Sequence, residues 1–168
     1  AKTQKGNWRY DVVEAGYKCN MTDIQAALGL VELQRYDADT LVKRRHIFDL
    51  YAFAFSNYSW AQVPVFERDQ GQSRSSCHVF ALRIKGISET QRDEIIQLIF
   101  EQEVSVNVHF IPVPMLSYYR KMGYDIKQYP RAFDNYSREI SLPVYYGLDA
   151  ESIQTVIDAV HAVQKVIT

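Results

Sequence analysis

Between Cys77 and Phe110 the spacing of the apolar residues changes period twice, and this narrows the possible folds more than any other stretch of the chain. The segment "CHVFALRIKG" alternates apolar and polar side chains, as a half-buried strand does. Ser88 and Gln91 then stand at capping-box spacing, where each side chain can bond the other's main-chain N–H, and a helical pattern runs on to Glu101. "VSVNVHF" returns to period two, with Val104, Val106, Val108 and Phe110 on one face and Ser105, Asn107 and His109 on the other. Strand, helix and strand in such close order predict an α+β class: a small mixed or antiparallel sheet with helices packed on one face, preceded by long helices.

The flanking segments supply those helices. Thr22 and Gln25 repeat the capping-box spacing, and Ile24, Ala27, Leu28 and Val31 follow at helical intervals. Gly29 lies inside that helix at a cost of about 1 kcal/mol relative to alanine, which predicts a close packing partner across its face. From Asp37 a long amphipathic helix is expected, striped by Ile47, Leu50, Tyr51, Ala54, Phe55 and Tyr58 with Lys43, Arg44 and Arg45 beside it. Residues 59–76 are polar, contain Pro64 and Gly71, and read as an irregular connection. Pro112 and Pro114 open a loop followed by one or two helical turns, and Pro130 suits the first position of a short helix. "ISLPVY" predicts a brief strand whose Pro143 puts it at an edge or a bulge. Asp149 is a good N-cap for a last helix striped by Ile153, Val156, Ile157, Val160 and Val163.

At 168 residues the chain suffices for one domain with its own core. With 19 basic and 20 acidic residues it has no net field to draw nucleic acid or an anionic membrane, so neither is an expected partner. No apolar run approaches the roughly 18 residues that a membrane span requires. The two cysteines, Cys19 and Cys77, form no CxxC pair and have no histidines at zinc-ligand spacing, which favours free thiols in a reducing cytoplasm and no metal site. The sequence begins at Ala1 within a polar segment, and both processing and a piece of a longer protein fit that start.

Chemistry is sparse on the residues alone: no P-loop, G-x-G-x-x-G, G-x-S-x-G or H-E-x-x-H is present. His46 and His161 lie on helix stripes and His78 at the start of a strand, where structural roles are expected. His109 differs, sitting on the polar face of a strand that runs into a proline-bounded, tyrosine-rich loop, a place where ligands meet rigid scaffolds. Tyr118 and Tyr119 follow it and could stack on a base or a sugar, or simply pack. Lys18, Cys19 and Asn20 crowd the turn ahead of Thr22, and such a turn can be an anion site or only a turn.

Trp8 with Tyr10, "GYKCNMTDIQAALGLVEL", Arg44 with Arg45, "HVF" from His78, "VNVHFIPV", "YYRKMGY" and "ISLPVY" occur in an order and spacing that resembles the C-terminal part of the DegT/DnrJ/EryC1/StrS family. These are pyridoxal-phosphate-dependent sugar aminotransferases of the aspartate aminotransferase fold (fold type I). The resemblance implies a homodimer with active sites at the subunit interface, moving an amino group, usually from glutamate, onto a keto-sugar carried by a nucleotide diphosphate. It implies that residues 1–36 are an arm and interface helix and residues 37–168 the small domain, with the cofactor-binding large domain absent. Asn20 takes the family position whose amide holds the cofactor phosphate in the partner's site, and Lys18 is the neighbour whose charge can assist. His109 matches the histidine of the family's "VHF-x-P" segment near the sugar nucleotide, with Tyr118 and Tyr119 in the loop after it. Two positions depart from the pattern: Cys19 stands where a tyrosine is usual, and Pro114 where a second histidine is common. No lysine here matches the Schiff-base motif, so no catalytic residue is assigned and the chain alone is expected to be inactive. A stand-alone dimerising or regulatory remnant, and part of a related pyridoxal-dependent sugar dehydratase, remain open alternatives.

Overall fold

The computed structural model describes residues 8–17 and 21–163. Lys18, Cys19 and Asn20 therefore lie outside the described residues. Helix α1 (Asp23–Arg35) begins at the expected capping box, with both Thr22 and Gln25 contacts formed. Its axis continues through a π-helical turn, Tyr36–Thr40, into α2 (Leu41–Phe55). The single long helix expected from Asp37 is thus interrupted at its start. Tyr146 sits against the turn, its hydroxyl donating to Asp39 at 2.8 Å with Arg35 and Lys43 over its ring at 4.5 and 3.6 Å.

The connection after α2 is not wholly irregular. It contains β1 (Ala61–Gln62) and a small hairpin of β2 (Glu67–Arg68) with β3 (Ser73–Arg74). β4 (Phe80–Ile84) follows, then α3 (Glu89–Glu101), capped by Ser88 and Gln91 as expected. Short helices α4 (Ser117–Lys121) and α5 (Pro130–Ser137) lead to β5 (Glu139–Leu142), and α6 (Ala150–Ala162) closes the described chain with Asp149 as its N-cap. β1, β4 and β5 form an antiparallel sheet in the order β1-β4-β5, separate from the β2–β3 hairpin, and Pro143 falls just beyond the edge strand.

The core lies between this sheet and the helices. Phe80, Leu82 and Ile84 of β4 are buried, as are Ile140 and Leu142 of β5, and they meet Ile47, Phe48, Tyr51 and Phe55 of α2 and Ile95, Ile96 and Ile99 of α3. Phe80 packs edge-on against Phe48 and Tyr51 at ring separations of 5.0 and 5.2 Å. Arg92 on α3 is fully buried between the Trp8 and Tyr136 rings, donating to the carbonyls of Tyr136 and Glu139 at 2.6 and 3.1 Å. Burial and the nearby Glu89 carboxylate push the Tyr136 phenol up to about 12. Residues 8–12 form a strap that fixes α3, α4 and α5 together. Trp8 is buried, Arg9 bridges Glu89 and Asp93, Asp11 accepts from the Ser117 main chain and hydroxyl, and the Val12 carbonyl accepts from the Tyr118 N–H.

Two further expectations fail. "VSVNVHF" is not a regular strand: Asn107 alone bridges β5, exchanging main-chain bonds with Ser141. The next two N–H groups find side-chain acceptors instead, Val108 bonding the Asn107 amide oxygen and His109 the Glu139 carboxylate, so the ladder does not propagate. Val104, Val106 and Val108 are buried as the alternation predicts, but Phe110 is 65% exposed. The partner expected at Gly29 is also missing among the described residues: a Cβ built there meets no atom of theirs within 4 Å, and α1 has no buried residue.

Candidate functional site

The polar residues that matter are brought together by β5. Alternation along a strand sends Ile140 and Leu142 to one face and Glu139 and Ser141 to the other. All four are buried, so the polar pair is covered as thoroughly as the apolar one. A buried carboxylate is costly unless its oxygens are bonded. Both are: Oε1 accepts from the Ser141 hydroxyl and Oε2 from the His109 N–H at 3.0 Å. The Ser141 Oγ in turn lies 2.8 Å from His109 Nδ1, and His109 Nε2 lies 3.4 Å from the Asn107 side-chain nitrogen. Glu139, Ser141, His109 and Asn107 are thus one continuous polar network at the open edge of the sheet.

Burial pushes the Glu139 carboxyl up to about 7, and the bonds from Ser141 and His109 and the charges of Arg92 and Arg83 offset only part of that rise. A group poised there changes charge within the neutral range. His109 itself is half-buried, its ring edge-on to Phe110 at 4.7 Å, and the His109–Phe110 peptide is cis.

The structure treats the sequence-predicted residues unequally. His109 is placed in a built polar network. Tyr118 and Tyr119 are half-buried and pack edge-on at 5.3 Å, Tyr119 also meeting Tyr124 at 6.2 Å, and the Tyr118 main chain is tied to the strap at Val12. His161 packs on Phe55 and Tyr58, consistent with a structural role, while His46 and His78 are exposed. Sequence reading missed Glu139 and Ser141 because it began the strand at Ile140. The available signal was a polar pair two residues apart in a strand-like run, matching the Asn107 and His109 pair at the same interval.

The described lysines offer no buried nucleophile: Lys43, Lys85, Lys121 and Lys127 are all exposed, with Lys43 over Tyr146 and Lys85 on the Ser59 carbonyl. Among the described residues no cluster of His, Cys, Asp and Glu is placed to hold a metal, and no helix is long and apolar enough to cross a membrane. Cys77 is a buried free thiol.

Comparison with known proteins places the chain. It is 37% identical over 97% of its length to the spore coat polysaccharide biosynthesis protein SpsC of Bacillus subtilis, of which it covers 42%. It is 26% identical over 95% of its length to the UDP-4-amino-4,6-dideoxy-N-acetyl-beta-L-altrosamine transaminase of Campylobacter jejuni, covering 41% of that protein. Among solved structures it superposes on Spr1654 of Streptococcus pneumoniae, described as a sugar aminotransferase, with a TM-score of 0.80 and 36% identity over 98% of this chain and 40% of that one. That protein is also known in pyridoxal- and pyridoxamine-phosphate forms. The chain spans about two fifths of the length of these relatives, and corresponds to their C-terminal part. The model of the DegT/DnrJ/EryC1/StrS aminotransferase family matches residues 1–161, and the chain belongs to that family.

Proposed function

We propose that these residues are the interface helix and small domain of a pyridoxal-phosphate-dependent sugar-nucleotide aminotransferase, which passes an amino group, with glutamate as donor, to a nucleotide-linked keto-sugar in surface polysaccharide or amino-sugar biosynthesis. The observation that carries this reading is the family match over residues 1–161, together with relatives named for transamination and polysaccharide assembly. Bound pyridoxal phosphate would supply the electron sink through which the amino group changes carbons. No lysine here matches the family's Schiff-base motif, so in this reading the covalent attachment belongs to the family's large domain and the 168 residues alone are inactive.

Lys18 and Asn20 are the cofactor-side residues. An ammonium and a neutral amide have the donor chemistry that a phosphate monoester needs, and they precede a helix N-terminus whose orphan N–H groups favour anions. The uncovered α1 supports a homodimer: Ile24, Leu28, Val31 and Leu33 on it, and Met21 just before its cap, are each more than half exposed. So much apolar surface beside the arm is consistent with burial against another subunit. His109, Tyr118 and Tyr119 lie on the substrate side, His109 toward the diphosphate and the tyrosines toward the base or sugar.

The test is steady-state kinetics and cofactor retention in the intact enzyme. Asn20→Ala and Lys18→Ala should weaken pyridoxal phosphate retention by about tenfold or more, as expected for loss of a charge-assisted hydrogen bond. His109→Gln should raise KM for the nucleotide sugar and leave the cofactor absorbance unchanged. Normal cofactor retention in both arm variants would remove the interface assignment, and an unchanged KM would remove His109 from the substrate side.

A further inference from the structure

The orientation of every group in the β5 network can be worked out from its two ends. At one end the Asn107 amide oxygen accepts from the Val108 N–H at 2.9 Å, which turns its NH2 group toward His109. An amide NH2 can only donate, so His109 Nε2 must be an unprotonated acceptor and Nδ1 must carry the ring hydrogen. At the other end, with Glu139 ionised above the pH at which its carboxyl titrates, the Ser141 hydroxyl gives its one hydrogen to Oε1. Its oxygen is then left to accept, and what stands 2.8 Å away is His109 Nδ1. The two deductions are independent and agree.

We propose that Glu139, acting through Ser141, is a positioning residue that holds His109 in its Nδ1–H form and leaves Nε2 as the nitrogen that takes up a proton when an anionic group of the substrate binds. The role toward substrate rests on the reading of His109 given above, whereas the ring's protonation pattern does not. The proton comes from solvent and adds to the Nε2 lone pair, and the hydrogen bond from the Asn107 amide is given up. The resulting imidazolium is stabilised by the carboxylate two hydrogen bonds away. The Glu139 carboxylate is faced by Arg92 from α3 and Arg83 from β4, and by His109 from the segment beside β5, and these offset part of the cost of burying its negative charge.

Ring nitrogen NMR of the 15N-histidine-labelled protein, with the His109 signal assigned by its disappearance in His109→Gln, tests this directly. The expected spectrum has a protonated-type Nδ1 and a lone-pair-type Nε2. Ser141→Ala and Glu139→Gln should abolish that pattern, giving an averaged or reversed tautomer, while Ser141→Thr, which keeps the hydroxyl, restores it. An Nε2–H ring in the wild type, or an unchanged Nδ1–H ring in Ser141→Ala with native circular dichroism, overturns the proposal. Titration of the intact enzyme, labelled in the same way, with uridine diphosphate separates the underlying reading. A shift of His109 Nε2 to the protonated type is expected, and its absence in a protein with the stated wild-type tautomer would overturn the substrate role and leave the wiring supported.

Discussion

Helices α1 and α3 are nearly the same object locally and opposite objects globally. Each has thirteen residues, and each opens with a complete capping box, Thr22 with Gln25 and Ser88 with Gln91. Yet α3 buries Arg92, Ile95, Ile96 and Ile99, whereas α1 buries nothing and holds Ile24, Leu28, Leu30, Val31 and Leu33 in solvent. Capping and propensity set where a helix begins, but most helical stability in a protein comes from the face that packs. α3 is a supported element of this chain; α1 is an apolar surface whose cover lies elsewhere in the proposed assembly.

The largest expected contrast follows from the arginines. Arg92→Ala would leave the Tyr136 and Glu139 carbonyls without their donor and Glu89 and Asp93 without an adjacent buried cation, a loss of about 3–5 kcal/mol. Arg35, in the last turn of α1, pairs with Glu32 and lies over the Tyr146 ring at the surface, and Arg35→Ala should cost far less than Arg92→Ala. Ile99→Ala and Leu28→Ala extend the test to apolar groups, at about 2–5 kcal/mol for the first and within about 0.5 kcal/mol for the second. Urea denaturation of the four variants measures all of this. A cost for Leu28→Ala that appears only on subunit association would sharpen the contrast, and a large cost in the isolated chain would break it.

The pH response should also belong to the packed region. Glu139 has its carboxyl raised from 4.5 to about 7, so between those values the folded chain binds more protons than the unfolded one. Stability therefore falls as pH rises through that window and levels off above it, by up to about 3 kcal/mol. Asp11, Asp134 and Asp149, whose carboxyls are lowered mainly by bonds from Ser117, Arg138 and Ser152, act in the opposite sense and only on further acidification. Glu139→Gln should flatten the profile between pH 5 and 8 and be the more stable protein at the alkaline end. A wild-type melting temperature that rises across that range would contradict this.

How much could be read beforehand follows the same division. The capping boxes, the β4 alternation, the Asp149 cap and the burial of Val104, Val106 and Val108 were legible because each is a local pattern with a local cause. The broken ladder at residues 107–109 was not, because it depends on Asn107 and Glu139 side chains out-competing a strand for two N–H groups, and one of them comes from thirty residues away. Gly29 misled for a related reason: its expected neighbour is not among the described residues. His109 could be singled out from its position, but the Glu139–Ser141 pair that orients it required knowing the register of β5. Lys18 and Asn20 were nominated by resemblance and lie outside the described residues.

The smallest contrast isolates the caps themselves. Ser88→Ala and Thr22→Ala each remove one side-chain acceptor from an N3 main-chain N–H and free the glutamine that answers it, a loss of about 1 kcal/mol of helix stability in either case. In α3 that loss is tied to the core through Ile95, Ile96 and Ile99, so it should appear in full in the global unfolding free energy. Among the described residues α1 is tied to the rest of the fold only at its C-terminal end, through the π-helical turn and Arg35 over the Tyr146 ring, so Thr22→Ala should fray the first turns while the global transition stays put. Amide hydrogen exchange reads both outcomes: faster exchange confined to residues near 23–28 for Thr22→Ala, and a uniform loss of protection across β4, α3 and β5 for Ser88→Ala. Equal global destabilisation by the two substitutions would mean that α1 is braced by contacts within this chain after all, and the division between the helices would fall.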